Sequence, residues 1–138
     1  MPLRLSPLSV PFSDDAVRII GLDWRESGDV NVQVGSKRAG QSCVVQFSEV
    51  VGIRILDELD LASWWVEAER ACLASSWLFA VDANGWLAFE QTRQDFYTKH
   101  MPHETFEYLL AGFTDCVSIL SSSSLRPAIQ VMEAPLDA

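Results

Sequence analysis

Ser42-Cys-Val-Val-Gln-Phe-Ser-Glu-Val-Val-Gly-Ile-Arg-Ile-Leu56 is the longest β signal in the chain, and its reading decides the fold. Cys43, Val45, Phe47, Val51, Ile53 and Ile55 fall on one face, interrupted by Glu49. Val44, Gln46, Ser48, Val50, Gly52 and Arg54 fall on the other. Side chains of a strand alternate between faces, so this is a long strand with one apolar side. Gly52 within the run predicts a bulge or bend.

The same alternation extends outward on both sides. Ala16–Trp24 is β-branched and apolar, and Val30, Val32 and Val34 alternate with Asn31 and Gln33 across the turn Arg25-Glu-Ser-Gly-Asp29. After Asp57 the period changes. Leu61, Trp64, Trp65, Ala68 and Cys72 share one helical stripe, which predicts a helix over at least 59–66, with Asp57 or Asp60 as its N-cap. Trp77, Phe79 and Val81 then alternate towards Asp82-Ala-Asn-Gly85, and Trp86, Ala88 and Glu90 continue the alternation, the pattern of a hairpin turned by Asn-Gly. Residues 92–105 are polar and read as a loop. Residues 107–113 and 116–120 form a second hairpin, and 127–132 an edge strand led by Pro127. The expected class is α+β, mainly β: a twisted antiparallel meander of seven or eight strands with one helix packed against it. Residues 1–15 read as an N-terminal arm and 16–138 as a single domain.

Composition bounds the function. The chain has 138 residues, 49% apolar and 21% charged, which is enough to build a core without disulfides or metals. Its net charge is −9. Residues 1–55 balance Arg4, Arg18, Arg25, Lys37, Arg38 and Arg54 against six acids, so the whole excess lies in 56–138. Such a surface disfavours nucleic acid and anionic lipid and attracts basic proteins. No apolar run has the length of a membrane span. Cys43, Cys72 and Cys116 are odd in number and lack a CxxC, which points to buried thiols in a reducing, cytoplasmic setting.

No constellation for chemistry emerges, so the expectation is a non-enzymatic protein without a cofactor. His100 and His103 flank Met101-Pro102 with only Glu104 beside them, too few ligands for zinc. Gly35-Ser-Lys-Arg-Ala-Gly40 lacks the Gly-Lys-Ser/Thr of a phosphate loop. Asp57, Glu58 and Asp60 have no histidine beside them, and suit a basic partner better than acid–base work. With Glu67, Glu69 and the aromatic Trp64 they form the expected partner-binding set.

The run Phe47–Trp64, Asn84-Gly-Trp86 with Glu90, Glu107-Tyr-Leu-Leu and Cys116-Val-Ser-Ile-Leu together resemble small bacterial proteins similar to the immunity proteins of polymorphic or contact-dependent toxin systems. The resemblance covers about residues 44–130 and departs at Asn84, where Gly-Gly-Trp would be typical. It implies a role in neutralising a basic toxin and carries over no contact residue. Two alternatives stand beside it: a ligand-binding domain with an aromatic pocket, and a subunit of a larger assembly joined through an edge near Pro127.

Overall fold

The computed structural model describes residues 3–61, 64, 75–96 and 104–132. Nine strands are described: β1 (Arg4–Pro7), β2 (Val17–Trp24), β3 (Val30–Ser36), β4 (Gln41–Phe47), β5 (Val50–Asp57), β6 (Leu78–Ala83), β7 (Phe106–Ala111), β8 (Asp115–Ser121) and β9 (Ala128–Met132). They form two antiparallel sheets, one ordered β1-β6-β7-β8-β5 and the other β2-β3-β4-β9. The fold is therefore mainly β and antiparallel. The strands are divided between two sheets, where the sequence pattern suggested one meander.

The division has a local cause. The run from Ser42 to Leu56 is two strands, and the break falls at Ser48-Glu49. Glu49 sits at φ 51°, in the left-handed region that extended strands do not use. There the chain leaves one sheet and enters the other, and its polar groups are satisfied across the gap. Val50 N–H donates to the Gly28 carbonyl at 2.8 Å, Ser122 N–H to the Glu49 carbonyl at 3.0 Å, and Ser121 Oγ–H to the Ser48 carbonyl at 2.6 Å. The irregularity expected at Gly52 is present as a register shift between Val50 and Gly52. A Cβ at Gly52 would lie 3.3 Å from Leu120 Cδ1 and 3.4 Å from the Trp86 ring, a tight fit that a larger residue would meet only by shifting these side chains.

Each sheet turns its apolar face to the other. Val30, Val32, Val34, Cys43, Val45 and Phe47 meet Leu78, Ala80, Tyr108, Leu110, Val117 and Ile119 in one core. Phe47 is tilted on Tyr108 with ring centroids 5.5 Å apart. The N-terminal arm is ordered into this core. β1 pairs with β6, and Phe12 is buried against Trp77, whose Nε1–H donates to the Phe12 carbonyl at 2.7 Å. A second cluster, Leu61, Phe79, Leu109 and Cys116 with half-buried Leu56, Trp64 and Val81 packed on it, covers the outer face of the five-stranded sheet. With both faces covered, Cys116–Ser121 of β8 is buried throughout, and only the small serines Ser118 and Ser121 interrupt its apolar run.

Two further expectations meet the structure here. The helix expected over 59–66 begins as a 3-10 turn at Glu58–Leu61, with Leu59 N–H donating to Asp57 Oδ1 at 2.9 Å, so Asp57 is the cap. Of the remainder only Trp64 is described, and it is helical. The hairpin expected around Asn84-Gly85 is not formed. β6 is followed by the helix α1 (Trp86–Glu90) in place of a return strand. The type I′ turn that Asn-Gly favours needs positive φ at both central residues; Asn84 has φ 64°, but Gly85 has φ −98°. The first helical amides then find a carboxylate acceptor on β7: Trp86 N–H donates to Glu107 Oε2 at 3.0 Å and Leu87 N–H to Oε1 at 2.8 Å. A long-range acceptor pair thereby overrides the alternation of the segment.

Burial pushes the Cys43 thiol up to about 11 and the Cys116 thiol up to about 12. At pH 8 both are thiols, not thiolates, and both are shielded. Peptide mapping after iodoacetamide treatment of the native protein is expected to leave these two unmodified and to label them only after denaturation. Cys72 lies outside the described residues.

Candidate partner-binding face

One end of the five-stranded sheet gathers acids. Asp57 closes β5 and faces Asp115, the first residue of β8, across the sheet. Glu58 and Asp60 follow in the 3-10 turn, which is tied to the β7–β8 connection by Glu58 N–H donating to the Thr114 carbonyl at 3.0 Å. Asp57, Asp60 and Asp115 are exposed. Their combined field is felt at Cys116: burial is the main cause of its raised pKa, with Glu58, Asp115 and Asp57 adding to it. Large apolar side chains are exposed on the same segments. Ile55 is 56% exposed and Leu59 73%, while Phe113, 63% exposed, lines a pocket with Arg18, Lys37 and Arg38.

The sequence reading named Asp57, Glu58 and Asp60, which lie together here, but not Asp115. Its place beside them depends on β8 lying next to β5, a pairing that no local pattern announces. Glu67 and Glu69 lie outside the described residues, as do Trp65, His100 and His103. Trp64, expected at the rim of an interface, is half-buried in the second cluster and stacked on Arg54, with the guanidinium 5.4 Å from its ring centroid.

Three other described acids of the second half, Asp82, Glu90 and Glu107, are held elsewhere. Asp82, at the opposite end of β6, accepts from the Ser6 hydroxyl. Glu90 accepts from Trp86 Nε1–H at 3.1 Å and from Arg93 Nε–H at 2.6 Å. Glu107 is buried. The excess charge is thus divided, and four carboxylates make up the described acidic end.

Arg54 and Glu107 form a separate feature under α1. The Arg54 guanidinium lies between two indoles, 5.4 Å from Trp64 and 5.0 Å from Trp86. Its Nε and Nη2 are buried and make no hydrogen bond among the described residues. Burial lowers its pKa, and Glu107 and Glu90 pull it back up. Burial raises the Glu107 carboxyl, while the two helix amides and Arg54 act in the other direction. The arrangement holds a cation between aromatic faces and locks α1 to the sheet.

The space between the sheets is filled by side chains, whereas a pocket of about 380 Å³ opens at the rim where β6 and β7 part, lined by Asp82, Glu104, Tyr108 and Arg126 among others. Within the loop Gly35–Gly40, Arg38 is paired with Asp15. Among the described residues there is no group of three or more His, Cys, Asp or Glu placed to hold a metal ion, and no helix is long and apolar enough to cross a membrane. No family model matches the chain, and no curated protein or solved structure is significantly similar to it.

Proposed function

We propose that this chain is a non-enzymatic cytoplasmic binding protein that docks a basic protein at the acidic end of its five-stranded sheet. The observation that carries this reading is the gathering of Asp57, Glu58, Asp60 and Asp115 at one end of the sheet, with Ile55 and Leu59 exposed on the same segment. The carboxylates steer a cationic surface into contact, and the apolar side chains supply area to bury once it arrives. The immunity-type role implied by the sequence resemblance is the most concrete form of this reading, with a basic toxin domain as the partner.

The test is an affinity capture from the native host followed by measured association of whatever basic protein is retained. Reversing Asp57, Asp60 and Asp115 to lysine is expected to slow association about tenfold or more, and moderate salt to slow the wild type similarly. An Asp82→Lys control at the far end is expected to have little effect. Retention of no basic protein, or association indifferent to salt and to the triple reversal, would refute the reading.

A further inference from the structure

The partner's mode of attachment is written into the sheet order. We propose that β5 is an open docking edge, and that an extended segment of the basic partner adds to it as a sixth strand; this rests on the acidic-face reading above and specifies how that face is used. β5 is the outermost strand of its sheet, hydrogen-bonded through one side to β8, and among the described residues no strand lies beyond it. An edge of this kind presents a row of backbone donors and acceptors to any strand that approaches.

The other edges carry features that discourage such pairing. β1 has only four residues and ends on Pro7. β9 follows Pro127 directly. β2 is broken in register between Ile19 and Gly21 and bears Arg18 and Asp23. In β5 the irregularity is confined to Val50–Gly52, and Ile53–Asp57 keeps unbroken register with β8. Those five residues span roughly 17 Å, a full strand's length. The one cation on β5, Arg54, has its guanidinium held between the two indoles.

The side chains beside this edge define the segment it would accept. Residues two apart share a strand face, so Ile53, Ile55 and Asp57 lie on one side. Ile53 packs on the core, Ile55 is more than half exposed, and Asp57 begins the acidic end. A strand laid along β5 therefore meets an apolar group and then a carboxylate. The complementary segment places an apolar residue opposite Ile55 and, two residues along on the same face, a lysine or arginine opposite Asp57. Main-chain bonds would hold it, and charge would fix its direction.

The experiment uses a capped nine-residue synthetic peptide, Thr-Val-Thr-Lys-Thr-Val-Thr-Lys-Thr, which sets valine and lysine in turn along one face, titrated into the full chain at low salt. Two further peptides carry N-methyl groups on alternate amides, one set on each edge. The parent is expected to bind. One N-methylated peptide is expected to lose about tenfold or more in affinity and the other to retain it, because only one edge of the added strand faces β5. Ile55→Lys and Asp57→Lys are each expected to weaken the parent about tenfold, with the fold of these exposed-site variants checked by circular dichroism. No binding by the parent up to about 1 mM, or equal binding by all three peptides, would overturn strand addition. Equal binding by all three that is still lost in Asp57→Lys would leave the acidic face standing and remove only the edge. Edge-selective loss with no effect of Asp57→Lys would keep the edge and remove the acidic face.

Discussion

Glu107→Ala is expected to destabilise the protein by about 2–4 kcal/mol at pH 7, measured as the change in urea midpoint at constant slope. The substitution removes the acceptors of both Trp86 N–H and Leu87 N–H and takes away one of the two carboxylates that offset the buried charge of Arg54. It also empties space beside Gly85, where in the wild type an added Cβ would lie 2.8 Å from Glu107 Oε2. Because α1 is held through these contacts, Trp86 is expected to move into a wetter environment, readable as a red shift of indole emission. The pH dependence has a definite sign. Burial raises the Glu107 carboxyl above its ordinary value, so the native state keeps this proton more tightly than the unfolded chain does. As pH rises through the interval between the two values, the unfolded chain releases its proton first and stability falls. Glu107→Gln cannot titrate. The advantage of wild type over this variant is therefore expected to be greatest below the unfolded pKa, to shrink as pH rises towards the folded one, and to be constant above it. A difference that grows with pH would show that the backbone amides and Arg54 outweigh burial.

Phe47→Ala is expected to cost about 3–5 kcal/mol and to lower the melting temperature by about 10 °C or more. Phe47 is 1% exposed and closes β4 just before the chain changes sheets. Its ring packs on Tyr108 from the other sheet. Truncation leaves a cavity at the point where both sheets and their crossover meet, and the backbone bonds at Ser48–Val50 limit how far the walls can collapse. Phe47→Leu keeps most of the volume and is expected to cost less than half as much, which keeps the comparison informative if the alanine variant unfolds. Calorimetry on the pair checks both figures. Equal effects from the two substitutions would mean that cavity volume is not what is lost.

The strand identities were legible because alternation is a local property. Val30, Val32 and Val34 alternate with polar neighbours in the sequence, and in the structure they are the fully buried face of β3. The bulge at Gly52, an acidic cap at Asp57 or Asp60, and the edge position of the strand after Pro127 were legible for the same reason: each depends on a residue's own stereochemistry, and the structure takes Asp57 as the cap. The sheet change at Ser48-Glu49 was not. Nothing in the alternation distinguishes one bent strand from two, and the break is made by bonds from residues distant in the chain, Gly28, Ser121 and Ser122. The helix at Trp86–Glu90 was hidden similarly, since its capping carboxylate lies on another strand.

The candidate site divides along the same line. Sequence alone determined an acidic, mainly β chain with carboxylates at Asp57, Glu58 and Asp60, because charge and period can be read residue by residue. Only the tertiary structure placed Asp115 opposite Asp57, set Trp64 against Arg54, and left β5 at the border of its sheet. The physical reason is that strand neighbours are chosen by non-local burial and hydrogen bonding. Those energies depend on the whole packed assembly, so the surface they create is absent from any short stretch of chain.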